Sequence, residues 1–160
     1  MRAKHSQTHQ MYAIKIVSKK RLKKDKITAQ KTGYDFVLQE LKILSELNHP
    51  NCLWLHEIID DPKKNDLYLV TEFHASGSIN DKVKAETKKN NGKPKGLVNK
   101  VCRLYLIDML KALHYCHNVV SLIHRDIKPD NIMINHNNEA ILIDFGVSGL
   151  LEDKQEDVTK

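Results

Sequence analysis

Two mostly apolar segments in the first half of the chain are typical of β-strands. Residues 12–17 (Tyr-Ala-Ile-Lys-Ile-Val) form the first segment, and residues 67–73 (Leu-Tyr-Leu-Val-Thr-Glu-Phe) form the second. A period of two places Ala13, Lys15 and Val17 on one face of the first strand. The pattern therefore predicts two strands, one of which carries a lysine among apolar neighbours.

A helix is predicted between these strands, over residues 35–47. Its apolar positions recur with helical spacing at Val37, Leu41, Leu44 and Leu47. Glu40 falls within this apolar stripe. Because a carboxylate on the buried face of a helix is costly without a cation, we expect Glu40 to have a basic partner.

The second half of the chain predicts a long helix followed by a hairpin. The helix covers residues 97–118 and is apolar on most of its circumference, so we expect it inside a lobe. Residues 132–134 and 140–143 are short apolar runs on either side of an Asn-rich turn, which predicts two strands. This hairpin would hold Asn131 at one end and Asp144 at the other, and the boundary between the two halves falls near residues 73–77.

Two polar runs in this half contain the groups that phosphoryl transfer from a nucleotide requires. They are residues 124–131 (His-Arg-Asp-Ile-Lys-Pro-Asp-Asn) and residues 144–146 (Asp-Phe-Gly). The reaction needs a carboxylate to orient the attacking hydroxyl, an amide and a second carboxylate to hold magnesium, and a lysine beside the migrating group. The candidates for these roles are Asp126, Asn131, Asp144 and Lys128.

Both runs resemble the catalytic loop and the metal-binding loop of protein kinases. A lysine two residues after the catalytic aspartate is typical of the serine/threonine group. The resemblance implies an α+β, bilobal fold, with a small lobe over residues 1–73 and a large lobe over residues 74–160. It also implies ATP and Mg²⁺ as cofactors, and phosphorylation of serine or threonine on protein substrates in intracellular signalling.

The same resemblance assigns the nucleotide site. Lys15 would reach the α- and β-phosphates, and the small side chain of Ala13 would leave room for the flat base. Glu40 would be the partner of Lys15.

At the end of the second strand, Thr71 would be the gatekeeper residue. Glu72 and His74 would offer backbone groups to the adenine, so the imidazole of His74 is not expected to act as a metal ligand or an acid. Met133, on the predicted hairpin, completes the implied ATP-binding set.

Regulation is implied for Arg125, which precedes the catalytic aspartate. In kinases of this pattern, such an arginine receives a phosphate from the activation segment. Thr159 is a candidate phosphate acceptor, although the acceptor could equally lie beyond the end of the sequence.

A narrower resemblance is to the calcium/calmodulin-dependent protein kinase kinases and related upstream activators of AMP-activated kinases. The matching runs are residues 12–20, 55–62, 124–131 and 144–148. This resemblance implies a downstream kinase as one substrate and allows calmodulin as a partner.

The ends of the sequence depart from the kinase pattern. The glycine-rich loop that covers the nucleotide phosphates is not present, and the sequence stops before an Ala-Pro-Glu motif. We therefore expect a kinase domain truncated at both ends and inactive when expressed alone. The alternatives are a pseudokinase that acts as a binding module and, more remotely, a nucleic-acid-binding module. Loss of Lys15, Asp126 or Asp144 is the usual mark of a pseudokinase, and all three are present.

Composition and charge narrow the class of protein further. With 41% apolar residues the chain can form a core, and no stretch has the roughly 20 apolar residues of a membrane span. The net charge of +6 comes from two local runs, residues 19–26 and 82–100, and not from one basic face with aromatic residues. We therefore expect no nucleic-acid partner; these runs are solvated or dock acidic partners. Three dispersed cysteines predict neither disulfides nor a zinc site, and the absence of a signal peptide predicts the cytoplasm or the nucleus.

Overall fold

The computed structural model describes residues 1–28 and 31–150 of the chain, which fold into two compact units of α+β structure. The first unit comprises Met1–Leu47 and Leu53–Phe73. The second comprises Asn48–Cys52 and the chain from His74 onward.

A four-stranded antiparallel sheet forms the first unit, in the order β1-β2-β4-β3. Its elements are β1 (Arg2–Lys4), β2 (Met11–Ser18), α1 (Lys19–Lys24), α2 (Gly33–Glu46), β3 (Leu55–Asp60) and β4 (Asp66–Glu72). The strands expected over residues 12–17 and 67–73, and the helix between them, are confirmed.

The core of this unit lies between the sheet and α2. Val17, Leu67 and Leu69 from the sheet pack with Leu41 of the helix, and all four are buried. Burying these side chains stabilises the unit and fixes which face of α2 meets the sheet. The helix therefore has a fixed rotation, which determines where Glu40 points.

Helix α2 begins at a capping box. The carboxylate of Asp35 accepts hydrogen bonds from the backbone N–H and the hydroxyl of Thr32, both at 2.7 Å. These bonds hold the pKa of Asp35 below its ordinary value. They also satisfy backbone donors that the first turn of a helix leaves unpaired.

Two helices and two short strand pairings form the described part of the second unit. Its elements are α3 (Ile79–Lys89), α4 (Asn99–Asn118), β5 (Leu122–Ile123), β6 (Ile132–Ile134), β7 (Ala140–Leu142) and β8 (Gly149–Leu150). A 3₁₀ turn over Pro129–Asn131 leads directly into β6. Strand β5 pairs with β8, and β6 pairs with β7 as the hairpin predicted around the Asn-rich turn.

The segment Asn48–Cys52 packs in the second unit, although the sequence analysis placed it within residues 1–73. Asn51 accounts for this position. Its side-chain amide donates to the carbonyl of Ala140 at 2.9 Å, and its carbonyl accepts from the N–H of Leu142 at 2.8 Å. These bonds add the segment to the outer side of β7.

Helix α4 buries one face and exposes the other within the described part of the chain. Tyr105, Met109, Ala112 and Cys116 form the buried face. The opposite face carries Leu104, Leu106, Ile107 and Leu110, which are 40–59% exposed. Residues 1–28 and 31–150 therefore cover one side of this helix, which the sequence analysis placed inside a lobe.

None of the helices described here combines the length and the apolar character that crossing a bilayer requires.

Candidate functional site

Lys15 and Glu40 form an ion pair in the first unit. The ammonium of Lys15, on β2, donates to the two carboxylate oxygens of Glu40, on α2, at 2.8 and 2.9 Å. The side chain of Glu40 is 8% exposed, whereas that of Lys15 is 53% exposed. The buried glutamate therefore fixes the position of the ammonium, and the exposed part of Lys15 can contact an anionic ligand.

Ala13 and Thr71 lie beside this pair on the sheet. The two residues are directly opposite each other in the ladder between β2 and β4, where Lys15 is opposite Leu69. Cross-strand partners project to the same face of a sheet, so Thr71 lies on the face that carries Ala13 and Lys15. The residues expected to line the base and phosphate sites of the small lobe thus share one face.

Glu72 ends β4. Its backbone N–H donates to the carbonyl of Trp54 at 3.4 Å, and its carboxylate accepts from the N–H of Trp54 at 3.3 Å. The backbone N–H of Glu72 is therefore already engaged within the first unit. His74 begins the main part of the second unit, and its imidazole is buried.

In the second unit, two polar side chains of the catalytic loop donate to one carboxylate oxygen of Asp126. Oδ2 of Asp126 accepts from the ammonium of Lys128 at 2.6 Å and from the side-chain amide of Asn131 at 2.8 Å. The same amide also donates to the backbone carbonyl of Asp126 at 3.0 Å. The bond to Lys128, together with that to Asn131, holds the pKa of Asp126 below its ordinary value, and Asp126 in turn raises the pKa of Lys128.

The hairpin brings Asp144 to this loop. Residues of β6 and β7 pair from Ile132 with Leu142 to Ile134 with Ala140, and the N–H of Ile143 donates to the carbonyl of Asn131 at 3.0 Å. Asn131 and Asp144 therefore flank the two strands at the open end of the hairpin. Met133 lies on β6 and is half-buried. Its backbone also forms an isolated antiparallel β-bridge with Ser78.

The donor atoms of Asn131 and Asp144 suit a magnesium ion. The amide nitrogen of Asn131 is used by Asp126, so its side-chain carbonyl oxygen is the atom left to bind a cation. Amide and carboxylate oxygens are hard ligands, and magnesium takes few of them from protein because it keeps waters and substrate phosphates. No cluster of three His, Cys, Asp or Glu side chains suited to a metal occurs in residues 1–28 and 31–150.

His124 is a positioning residue to which the sequence analysis gave no role. Its imidazole is 1% exposed and packs edge-on against Phe145, with ring centroids 4.9 Å apart. Nδ1 accepts from the N–H of Asp126 at 3.3 Å, so Nε2 carries the proton and donates to the carbonyl of Ile143 at 2.9 Å. Burial lowers the pKa of His124. The neutral ring thus ties the backbone of the catalytic loop to the residue before Asp144.

Two residues of the site have left-handed backbone angles. Arg125 has φ of 68° and Asp144 has φ of 63°. Such angles are uncommon for residues other than glycine and are held only where surrounding contacts enforce them. The bonds of His124 supply such contacts, since they connect residues next to both positions.

Arg125 lies against Gly149. A Cβ atom at position 149 would lie 2.5 Å from the Nη2 atom of Arg125, so glycine allows the guanidinium to cross this strand. Sequence reasoning singled out the arginine but not the glycine, because no local pattern marks this contact. Thr159, the candidate phosphate acceptor, lies outside the described residues.

The whole chain, residues 1–160, matches the protein kinase domain family. The chain belongs to that family. It is 36% identical over 152 residues to a probable serine/threonine-protein kinase of Dictyostelium discoideum, and 33% identical over 151 residues to the serine/threonine-protein kinase GRIK2 of Arabidopsis thaliana. It is 29% identical over 155 residues to the CBL-interacting serine/threonine-protein kinase 20 of the same plant.

These matches cover 94%, 94% and 97% of this kinase chain, but only 20%, 35% and 31% of the respective relatives. The chain thus spans about a fifth to a third of the length of the curated relatives it matches. The relatives are named as serine/threonine-protein kinases, in agreement with the residues of the catalytic loop. The narrower likeness to calcium/calmodulin-dependent protein kinase kinases is not confirmed by them.

Proposed function

We propose that the protein carrying this chain phosphorylates serine and threonine residues of other proteins with ATP. The observation that carries the proposal is the position of the Asp126 carboxylate, which Lys128 and Asn131 hold at 2.6 and 2.8 Å. Membership of the protein kinase family supports the same conclusion.

Asp126 would orient the acceptor hydroxyl. Its hydrogen bonds to Lys128 and Asn131 both end on Oδ2, so Oδ1 is the oxygen that we expect to accept the hydroxyl proton. A carboxylate whose pKa is held below its ordinary value stays ionised at neutral pH and is a weak base. Its main contribution is therefore to align the hydroxyl with the transferred group, as loose phosphoryl transfer requires.

Lys128 and Lys15 would neutralise negative charge at two positions. The ammonium of Lys128, beside Asp126, would face the migrating phosphoryl group. Lys15, held by Glu40, would contact the α- and β-phosphates, with Ala13 and Thr71 on the same face of the sheet beside the base. Glu72 and His74 would bind the base through their backbone groups.

Asn131 and Asp144 would hold Mg²⁺, which supplies charge neutralisation of the phosphate oxygens. The structure supports this assignment through the donor atoms described above. The imidazole of His124 would keep the two loops together while substrate binds and product leaves.

The test is transfer of labelled γ-phosphate from ATP to a library of peptides with serine, threonine or tyrosine acceptors, using the full-length protein. We expect label on serine and threonine, and its loss in Asp126→Asn. Asp130→Asn is the matched control, because Asp130 is an exposed carboxylate in the same loop and its hydrogen bond goes to Asn80. Full transfer by Asp126→Asn would refute the role of Asp126, and no transfer by the wild type would favour the pseudokinase alternative.

We further propose that the physiological substrate is another kinase, as in the calcium/calmodulin-dependent protein kinase kinases. Residues 12–20, 55–62 and 144–148 support this narrower assignment by their likeness to that group. The test is phosphorylation of the activation segment of a catalytically dead AMP-activated kinase, with and without Ca²⁺ and calmodulin. Transfer only to generic peptides would contradict the downstream-kinase assignment, and transfer unaffected by calmodulin would remove calmodulin as a regulator.

A further inference from the structure

A groove of about 380 Å³ runs between α3 and the start of α4 in the second unit. Lys82, Glu86 and Lys89 line it from α3, and Val98, Val101 and Tyr105 line it from α4. We call it the α3–α4 groove. None of these residues belongs to the proposed phosphoryl-transfer site.

The α4 side of the groove is apolar and partly open to solvent. Val98 is 69% exposed and Val101 is half-buried, whereas Tyr105 is buried beneath them. The Tyr105 hydroxyl donates to the side-chain carbonyl of Asn138 at 2.8 Å, which fixes the ring. Burial of a partner's aliphatic side chain on this apolar surface would be favourable, because it removes apolar area from water.

The α3 side of the groove and the adjoining loop are strongly positive. Residues 82–100 carry seven lysines and a single glutamate. That glutamate, Glu86, contacts Lys89 at 2.9 Å and Lys95 at 3.3 Å, and these lysines lower its pKa. One carboxylate thus pairs with two lysines. The rim of the groove, which carries Lys82, Lys89 and Lys95 beside Glu86, therefore keeps a net positive charge.

Lys82 adds a charge at the centre of the groove. Its ammonium donates to the neutral side chain of Asn138 at 3.1 Å and lies 5.9 Å from the centroid of the Tyr105 ring. Neither contact cancels the charge of the lysine. A carboxylate bound above Tyr105 would therefore meet an ammonium that is already positioned.

The loop that carries the rim is attached to α3. The N–H of Lys95 donates to the hydroxyl of Thr87 at 3.3 Å, and the N–H of Lys93 donates to the carbonyl of Asn90 at 3.1 Å. Asn91 and Gly92 take left-handed angles, with φ of 55° and 78°, at the turn between them. Because the loop is folded back in this way, Lys95 lies beside Glu86 of the groove before any partner binds.

We propose that the α3–α4 groove docks an acidic peptide segment of a partner protein. An aliphatic side chain of the segment packs on Val98 and Val101, above the buried Tyr105, and flanking carboxylates contact Lys82 and Lys89. Nucleic acid fits less well, because stacking of bases needs exposed aromatic rings and the aromatic residue of this groove is buried. The docked protein could be a substrate of the proposed kinase, but docking itself does not rest on phosphoryl transfer.

The experiment selects ligands without bias. Phage-displayed random short peptides are selected on the immobilised full-length protein, and the enriched peptide is synthesised with a fluorescent label for polarisation measurements. We expect enriched peptides to combine aspartate or glutamate with an aliphatic residue. Enrichment of basic or uncharged peptides, or no enrichment at all, would overturn the proposal.

The variant Val98→Asp tests the apolar contact without endangering the fold. Val98 is the N-cap of α4 and makes no side-chain cap bond, and aspartate is a preferred N-cap residue. The variant should therefore fold at least as well as the wild type, yet bind the acidic peptide at least about tenfold more weakly, because it removes an apolar contact and adds a like charge. Val98→Ser, which can cap without adding charge, should lose less affinity. Unchanged binding in Val98→Asp would exclude this groove.

A lysine pair tests the rim. Neutralising both partners of Glu86, in Lys89→Gln/Lys95→Gln, should weaken peptide binding about three- to tenfold. The matched control is Lys63→Gln/Lys64→Gln, which removes the same charge from the exposed turn between β3 and β4 of the first unit. Equal losses of peptide affinity in the two double variants would show non-specific attraction and would overturn the proposal. Affinity of the groove for single-stranded RNA, but not for acidic peptides, would identify a different partner and would also overturn it.

Discussion

Lys15 and Glu40 depend on each other unequally. Two hydrogen bonds, at 2.8 and 2.9 Å, join the ammonium to both oxygens of the carboxylate, but only the glutamate is buried. A half-exposed lysine without its partner can be solvated by water. A buried carboxylate without its partner cannot, so the two halves of the pair respond differently to mutation.

We expect Lys15→Met to lower the free energy of unfolding by about 1 to 3 kcal/mol, because it leaves the buried Glu40 charge uncompensated. Glu40→Gln should cost less, since the neutral amide has a smaller desolvation penalty. Urea denaturation of each variant measures these changes. The double variant Lys15→Met/Glu40→Leu should recover stability relative to Lys15→Met, and a double variant less stable than both single ones would contradict the argument.

One half of the ion pair gave a local signal, because a glutamate inside an apolar helical stripe conflicts with burial unless it has a basic partner. The resemblance to protein kinases then supplied Lys15 as that partner. The hairpin was predictable from a local signal, since two short apolar runs flank an Asn-rich turn. Its strands then place Asn131 and Asp144 at its open end without any long-range information.

Other features depend on contacts between distant residues and gave no local signal. Strand β1 has three residues, too few for a period, and exists because it pairs with β2. The thiols of Cys52 and Cys116 lie 4.0 Å apart although 64 positions separate them, and spacing along the chain could not reveal this. Their mutual hydrogen bond and burial raise the pKa of the Cys52 thiol, which stays protonated.

A second prediction separates the roles of the two aspartates in the proposed reaction. Asp126→Ala should lower kcat by several orders of magnitude and largely spare binding of the nucleotide, because Asp126 contacts the acceptor hydroxyl. Asp144→Ala should lower kcat and also weaken binding of MgATP. Rapid-quench kinetics give kcat, and titration with a fluorescent ATP analogue gives binding with and without Mg²⁺. If both variants lost nucleotide binding equally in the presence of Mg²⁺, the separation of roles would be wrong.

A third prediction concerns the contact between Arg125 and Gly149. In Gly149→Ala, the new methyl group displaces the guanidinium, which is the flexible end of its side chain, so stability should change by less than about 1 kcal/mol. If Arg125 receives a regulatory phosphate, both Gly149→Ala and Arg125→Ala should lose activation by phosphorylation while retaining the activity of the phosphatase-treated protein.

The measurement is peptide phosphorylation before and after phosphatase treatment, with mass spectrometry to find the phosphorylated residue. Thr159→Ala tests the candidate acceptor directly. No phosphate on Thr159, together with unchanged activity in Thr159→Ala, would dispose of that residue and leave the role of Arg125 to be tested with the acceptor that is found.

The last prediction is a pH dependence of stability that arises at His49. The imidazole stacks on Tyr115, with ring centroids 5.0 Å apart, and its Nδ1 accepts a hydrogen bond from the N–H of Asn51 at 3.0 Å. Burial, and to a lesser extent the charge of Lys111, lower the pKa of His49 from its ordinary value of 6.5. The imidazole of His49 therefore binds a proton more readily in the unfolded chain than in the folded one. The contribution of neutral His49 to the free energy of unfolding is thus fully present above pH 6.5 and declines as the pH falls below it.

In His49→Asn, the side-chain oxygen can accept the bond from Asn51 without titrating. Thermal unfolding measured from pH 8 down to pH 5, roughly the range in which histidines titrate, should show a smaller loss of Tm in this variant than in the wild type. The control is His136→Asn, at an exposed position of the turn between β6 and β7, which should follow the wild-type curve. Parallel curves for His49→Asn and the wild type would show that protonation of His49 does not limit the stability of the second unit in acid.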